Sequence, residues 1–183
     1  MGQLRGGHIG FAILLALAGG LITTRAKADS LCAGSVTGSV LQALPTPTTV
    51  SPSQPISDNR NPELTKAFLQ GIQSAGLTVL PANQGNVQVD MTFTVTPPGG
   101  GAGNDSTFRG FGWMSGTHAP GGGVPVGSRV SISIEATNLN SQTLSWIGTI
   151  ACTVQASDPD RLATHFGELV GRALGRSINR QAL

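Results

Sequence analysis

The chain has 183 residues, of which 39% are hydrophobic and only 11% are charged, with 26 glycines and 11 prolines. This composition predicts one modest domain with long loops and excludes full disorder, because the apolar residues cluster in periodic segments. The formal net charge is +2. From Asp29 onward it is −1, with eight Lys and Arg against nine Asp and Glu, so there is no general electrostatic case for nucleic-acid binding.

Residues 1–28 have the three parts of a secretory signal peptide. Arg5 lies in a short basic region, residues 9–22 are apolar, and residues 26–28 read Ala-Lys-Ala, which matches a small-residue cleavage site. The apolar run is shorter than the ~20 residues that a membrane-spanning helix needs. We therefore predict a periplasmic or secreted protein whose mature chain starts near Asp29. An N-terminus that is kept as an anchor is the alternative.

Residues 29–60 are predicted to form an extended arm or linker. Pro and Thr are dense in residues 45–55, which favours an extended polyproline backbone and disfavours a helix. The spacing of Val36 and Val40 is compatible with an additional strand.

A folded domain is predicted over residues 61–180, and its first element is a helix. Asn61 is an N-cap candidate, Pro62 follows at the first helical position, and Gly76 is a C-cap candidate. Its apolar face is predicted to consist of Leu64, Ala67, Phe68, Ile72 and Ala75. Residues 87–95 then alternate apolar and polar side chains without exception, which predicts a strand with one buried face.

Residues 129–154 predict a hairpin. Two runs alternate apolar and polar side chains, and a polar patch with Asn138 and Asn140 separates them, as expected for a tight turn. The predicted inward residues are Val130, Ile132, Ile134, Leu144, Trp146, Ile150, Cys152 and Val154. Gly148 shares their side of the second strand, where it is expected to let a helix approach or to mark a bulge.

A second helix is predicted to begin at Asp158, with Pro159 at its first position. Its apolar face is predicted from Leu162, Phe166, Leu169, Val170, Ala173 and Leu174. Arg172, Arg176 and Arg180 recur every four residues along one flank and are candidates for contact with an anionic surface, with a solvated helix face as the alternative. Gly167, Gly171 and Gly175 recur along the other flank and predict close packing on the sheet near Gly148.

The element order predicts an α+β fold. We expect a small antiparallel sheet of three to four strands with both helices packed on one face, preceded by the signal peptide and the Pro/Thr-rich arm.

Residues 97–128 predict a long Gly-rich loop, and loops of this length in compact domains are usually functional or disordered. Its aromatic and apolar side chains are predicted to bind a partner or a membrane surface. They are Phe108, Phe111, Trp113 and Met114. The alternative is that they fold back over an open end of the core.

Cys32 and Cys152 are the two cysteines, and in an exported chain such a pair is a disulfide candidate. The alternative is two free thiols, with Cys152 acting as a small buried hydrophobe.

No chemistry-bearing motif emerges from the sequence. His118 and His165 lack metal-ligand spacing, the serines lack a nucleophile elbow, and the glycine runs lack the GK[ST] of a phosphate loop. We therefore predict a protein that is not an enzyme and that has no metal or other cofactor.

The segment of about 61–178 resembles the small bacterial envelope proteins, many of them lipoproteins, that are grouped as a domain of unknown function. The resemblance lies in the strand at 87–95, the first hairpin strand, Trp146-Ile147-Gly148 and the closing helix. The element order is also loosely similar to the lipopolysaccharide-assembly lipoprotein of the outer-membrane barrel. Leu31 precedes Cys32 where a lipobox needs a small residue, so this chain departs from the lipoproteins.

The resemblance implies an exported binding or accessory module of the periplasm or outer membrane, with an envelope protein or outer-membrane component as partner. Peripheral contact with a membrane is a further expectation. The alternatives are a carrier of a small ligand or lipid, with an apolar cavity between sheet and helices, and a hydrolase or isomerase whose site would join His118 to an acid such as Asp105.

Overall fold

The computed structural model describes residues 31–58, 61–100, 106–109 and 124–183, and these form one mixed β-sheet with two helices on one face. The strands are β1 (Cys32–Val40), β2 (Thr49–Pro52), β3 (Thr78–Val79), β4 (Val87–Thr96), β5 (Ser106–Arg109), β6 (Arg129–Asn138), β7 (Thr143–Val154) and β8 (Ile178–Ala182). The helices are α1 (Pro62–Ser74) and α2 (Pro159–Ala173), and a 3-10 turn covers Ile56–Asp58. Seven strands follow the order β3-β2-β4-β6-β7-β1-β8, and β5 pairs with β4 beside β2.

The prediction of a small antiparallel sheet with three to four strands is wrong. The sheet has eight strands, and β2 runs parallel to both β3 and β4. The three strands that alternate clearly in sequence, β4, β6 and β7, form its centre. Strands β1 and β2 arise from residues 29–60, which were predicted to be an extended arm or linker. The additional strand that the spacing of Val36 and Val40 suggested is β1.

The additional strands lack an alternating pattern for physical reasons. Gly34 and Gly38 alternate with Cys32 and Val36 at the inward positions of β1, so only two apolar side chains mark that face. In β2 a single inward residue, Val50, is fully buried between prolines and threonines. Strand β8 lies at the edge of the sheet and is almost entirely exposed, so its sequence is not constrained by a core.

The core of the predicted hairpin is confirmed. Strands β6 and β7 pair antiparallel, and β4 pairs along the whole length of β6. Their inward residues meet in rows across the sheet, as in Phe93 opposite Ile132 opposite Ile150, all fully buried. These rows pack against the apolar faces of α1 and α2 in one hydrophobic core.

A β-bulge shifts the pairing of β6 and β7 between Ala136 and Thr137. An extra residue in one strand reverses the side on which the following residues point. Leu144 therefore faces outward and is 38% exposed, whereas Ser145 is fully buried. The prediction that Leu144 points into the core is wrong, because simple alternation in sequence cannot reveal a bulge.

Both helices begin where the sequence predicts. The Asn61 side chain accepts a hydrogen bond from the Leu64 backbone at 3.4 Å, and Asp158 accepts one from Arg161 at 3.1 Å. These caps satisfy backbone donors that have no partner within a first turn.

Helix α2 ends at Ala173, and Gly175 then adopts φ +73°, a left-handed conformation that glycine reaches without a steric penalty. The prediction that the helix carries Arg176 and Arg180 along one flank is therefore wrong. Of these three arginines, only Arg172 lies in the helix, and Arg180 belongs to β8.

Helices α1 and α2 approach each other through glycines. A Cβ atom on Gly167 would fall on the backbone oxygen of Phe68, and one on Gly71 would fall on that of Thr164. Backbone therefore meets backbone at this crossing, with no room for a methyl group. The glycine flank of α2 packs on α1, so the prediction that it packs on the sheet is wrong.

Gly148 is covered by a tryptophan ring and not, as predicted, by a helix. The indole ring of Trp146 lies over Gly148 and over its cross-strand partner Gly38, and a Cβ on either would lie within 3 Å of the ring. The indole Nε1 donates a hydrogen bond to the backbone oxygen of Arg176 at 2.9 Å. The missing side chains of Gly148 and Gly38 thus leave room for the indole ring to lie flat on the sheet. The hydrogen bond of the ring then links the segment after α2 to the sheet.

The predicted disulfide between Cys32 and Cys152 is present. Their Cα atoms are 5.6 Å apart, and the residues are 120 positions apart in sequence. Both residues are buried. The bond joins β1 to β7 on the face that the helices cover.

Candidate functional site

The outer face of the sheet, which is the face opposite the helices, carries small polar side chains in register. One transverse row reads Thr96, Arg129, Thr153, Ala33 from β4 to β1. The next reads Thr94, Ser131, Ala151, Ser35, Ala182 from β4 to β8. A third reads Thr92, Ser133, Thr149, Thr37, and a fourth reads Asp90, Glu135, Ile147, Ser39.

The first two rows form the floor of a groove of about 740 Å³. Small residues such as Ala151 and Ser35 line its centre, and Arg129 and Arg180 line it from β6 and β8. Three strand spacings separate β6 from β8, and Arg180 lies beside Thr37 at the register shift of β8. The two arginine backbones are therefore ~14 Å apart across the strands and ~13 Å apart along them. We call this feature the outer groove.

The outer face is positive at one end and negative at the other. Arg129 and Arg180 are exposed at the groove end, and neither forms an ion pair with another residue in the described part of the chain. Asp90 and Glu135 lie directly opposite each other in the fourth row, and Gln88 donates a hydrogen bond to Asp90 at 2.9 Å. Glu135 lies six positions after Arg129, so the charged ends are ~20 Å apart along the strands.

The three arginines predicted to contact an anionic surface are not brought together. Arg172 forms an exposed ion pair with Glu168 at 3.2 Å on α2. Arg176 follows the helix, and its backbone accepts the Trp146 hydrogen bond. Of these three, only Arg180 lines the outer groove, together with Arg129, which was not among the predicted site residues.

The outer groove depends on the register of the sheet, which the sequence does not reveal. The sequence shows that Ser131 and Ser133 share the outward side of β6, and that Thr149 and Thr153 share that of β7. It does not show that β1 and β8 extend the same rows. Two outward Ser/Thr series in neighbouring strands were the signal that could have drawn attention to this face.

The residues predicted to bind a partner fall mostly outside the described residues. Phe108 lies in β5, where its backbone is paired with that of Phe93. Phe111, Trp113 and Met114 are outside, as are His118 and Asp105 of the alternative hydrolase site. The residues that flank the predicted loop, Thr96 and Arg129, are paired with each other and line the outer groove.

A second groove, of about 550 Å³, lies between α1 and the edge formed by β2 and β3. Its lining is mainly apolar, with a few amides and one cation at the rim. The apolar residues are Pro52, Pro55, Ile56, Leu69, Val79, Leu80, Pro81 and Ala82. Lys66 at the rim is already paired with Glu63 at 2.9 Å.

His165 lies on α2 beside Phe166, with ring centroids 6.4 Å apart. Partial burial lowers the pKa of His165 below its usual 6.5, since the charged imidazolium loses solvation. Glu168 opposes this shift by raising the pKa, and Arg172 adds to the lowering. Within the described ranges, no three metal-ligating side chains come together, and no helix has the length and apolar character to cross a membrane.

The lowered pKa of His165 predicts a pH-dependent stability. As the pH falls below about 6.5, the unfolded chain binds a proton before the folded chain does, so the free energy of unfolding decreases. The full stability is present above this pH. We expect His165→Gln to lose less stability than the wild type between about pH 7.5 and about pH 5, measured by urea denaturation. Equal losses in both proteins would contradict the assignment to His165.

No protein-family model matches the chain, and no curated protein matches it either. Among solved structures it is similar to the PelC dodecamer from Paraburkholderia phytofirmans in two crystal forms, at 11% and 12% identity and a TM-score of 0.47, covering 78% of this chain and 100% of that one. It is also similar to a PDZ domain protein from Parabacteroides distasonis, at 12% identity and a TM-score of 0.48, covering 81% of this chain and 37% of that one. The resemblance to envelope lipoproteins that was drawn from the sequence stays a prediction.

Proposed function

We propose that this protein is an exported, non-enzymatic binding module of a bacterial envelope, and that the outer face of its sheet is the contact surface. The observation that carries the proposal is the contrast between the two faces. The inner face is filled by one hydrophobic core beneath α1 and α2, whereas the outer face presents aligned polar side chains and a groove.

The disulfide is compatible with an oxidising, exported location, because structural disulfides form and persist in such compartments. We propose in addition that residues 1–28 act as a cleaved signal peptide and that the mature protein is periplasmic or secreted. The tripartite composition of this segment supports that step.

The carrier alternative has one specific observation in its favour, the groove beside α1. Its size and apolar lining are typical of small-ligand sites. The cavity predicted from the sequence lies between the sheet and the helices, where the described side chains instead pack as one cluster. A carrier function would therefore use the edge of the sheet rather than its interior.

Site-specific photo-crosslinking in a bacterial host tests the proposal. A photoreactive residue replaces Ser133 on the outer face, and the matched control replaces Ser74, which is also exposed and lies on α1. We expect the mass of the exported protein to place its first residue near Asp29, and adducts with a defined envelope component to arise from position 133 only. Adducts of equal yield from both positions would contradict the outer face as the contact surface, and an intact Met1 would contradict cleavage.

The same host tests the aromatic residues predicted to bind a partner. We expect Phe111→Ser combined with Trp113→Ser to leave the melting temperature unchanged and to reduce the adducts from position 133. A large loss of stability would assign both residues to the core instead.

A further inference from the structure

The outer groove has the chemical character of a site for an anionic, hydroxyl-rich ligand. The hydroxyl groups of Ser35, Ser131 and Thr153 lie in its floor, and each of them can both donate and accept a hydrogen bond. Arg129 on β6 and Arg180 on β8 also line the groove. Neither has a carboxylate partner among the described residues. A guanidinium binds a carboxylate through two parallel hydrogen bonds.

We propose that the outer groove binds an acidic polysaccharide. Arg129 and Arg180 each hold a carboxylate of the glycan, and the serine and threonine hydroxyls contact the sugar hydroxyls between them. This inference rests on the proposed function, since it takes the outer face as the binding surface and names the class of ligand.

The distribution of charge sets the direction of the ligand. A polyanion that ran along the strands would reach Asp90 and Glu135 after ~20 Å and would be repelled there. A polyanion that crosses the strands obliquely joins Arg129 in the first row to Arg180 beside Thr37, and it stays away from Asp90 and Glu135 on β4 and β6. We therefore place the glycan obliquely across the strands, over β6, β7, β1 and β8.

The same charges favour a glycan over the other anionic partners. A flat anionic membrane that covered the basic end would also bring its charge close to Asp90 and Glu135. A protein partner usually anchors itself in an apolar pocket through aromatic or Arg side chains, whereas Ala151, Ser35 and Ser131 offer a shallow polar floor. A linear chain of sugars can lie on such a floor and expose its acid groups to both arginines.

Titration calorimetry tests the inference with the full chain, purified with its disulfide formed. The probe is an oligogalacturonate of defined length, and a neutral glucan oligosaccharide of equal length is the ligand control. We expect the oligogalacturonate alone to bind, with an affinity that falls as salt is added. Arg129→Gln and Arg180→Gln should each weaken binding about tenfold or more, because each removes a charge-assisted hydrogen-bonding group.

Two further variants separate a groove from a general charge effect. Arg161→Gln removes the same charge from an exposed site on α2 and should leave the affinity unchanged. Ala151→Phe keeps every charge but fills the floor, and it should abolish binding while the melting temperature confirms folding. Equal weakening by Arg161→Gln, retained binding when Arg129→Gln and Arg180→Gln are combined, or equal affinity for the neutral glucan would each overturn the inference.

Vesicles that contain anionic lipid form the last arm of the experiment. We expect Arg129→Gln to leave any binding to these vesicles unchanged. If the protein bound the vesicles strongly through Arg129 and did not bind oligogalacturonate, the glycan assignment would be overturned. Since purified protein is used throughout, this result does not depend on export. Failure of the crosslinking experiment and failure of the glycan titration are therefore distinguishable.

Discussion

Gly167→Ala is expected to destabilise the protein by at least ~3 kcal/mol, above the usual range for overpacking. The new Cβ would fall on the Phe68 backbone oxygen, and a backbone atom inside a helix cannot move aside as a side chain can. Relief requires α1 and α2 to separate, which would open their shared core at Phe68 and Phe166, both fully buried. The gain of ~1 kcal/mol in helix propensity from Gly to Ala does not offset this loss. Chemical denaturation of both proteins measures the difference.

Gly171 provides a graded comparison on the same helix. A Cβ there would lie 2.6 Å from the Cβ of Ala75, a side chain, and 3.2 Å from the backbone oxygen of Ile72. Gly171→Ala should therefore cost less than Gly167→Ala, and Ala75→Gly should recover part of the loss in a double-mutant cycle. No single side-chain deletion should recover Gly167→Ala. If both variants are equally stable, or if Ala75→Gly rescues both, the backbone contact is not what limits the approach of the helices.

The glycine contact shows where sequence patterns are informative and where they stop. The spacing of Gly167 and Gly171 indicates a flank that another element approaches closely, and this is correct. Spacing alone does not identify that element, since a sheet and a helix both benefit from a missing side chain. Which one it is depends on the crossing of α1 and α2, a tertiary property.

The same distinction applies to the sheet and to the candidate site. Where one side of a strand is buried and the other is closer to solvent, as in β4, the alternation of apolar and polar residues predicts the strand and its buried face. Where a strand lies at an edge, as in β8, or buries only one apolar side chain, as in β2, little in its sequence separates it from a loop. The outer groove combines strands of both kinds, so Arg180 could be predicted as a surface cation but its meeting with Arg129 could not.

Breaking the disulfide is the second change for which we expect a large effect. The bond closes a loop of 120 residues, and the chain-entropy model gives about 5 kcal/mol for a loop of this length, within a usual range of about 2–5 kcal/mol for native disulfides. Cys32→Ala, Cys152→Ala and the double variant should lose similar amounts, since the first substitution already removes the cross-link. A reducing agent should lower the melting temperature of the wild type and leave the double variant unaffected. Losses that add up in the double variant would indicate that packing, and not the cross-link, is the source.

Because of the position of the disulfide, breaking it is expected to loosen two strands before the whole domain unfolds. Strand β8 is attached to the sheet through β1, and β1 pairs with β7 on its other side, where the bond lies. Without the bond, we expect hydrogen exchange to increase first in β1 and β8, whereas β4 and β6 keep the protection of the central sheet. Ser35 and Arg180 lie on the two loosened strands, and Arg129 and Ser131 do not. The reduced protein should therefore lose affinity for oligogalacturonate under conditions in which its far-UV spectrum is still that of the folded chain, and unchanged affinity after complete reduction would contradict this coupling.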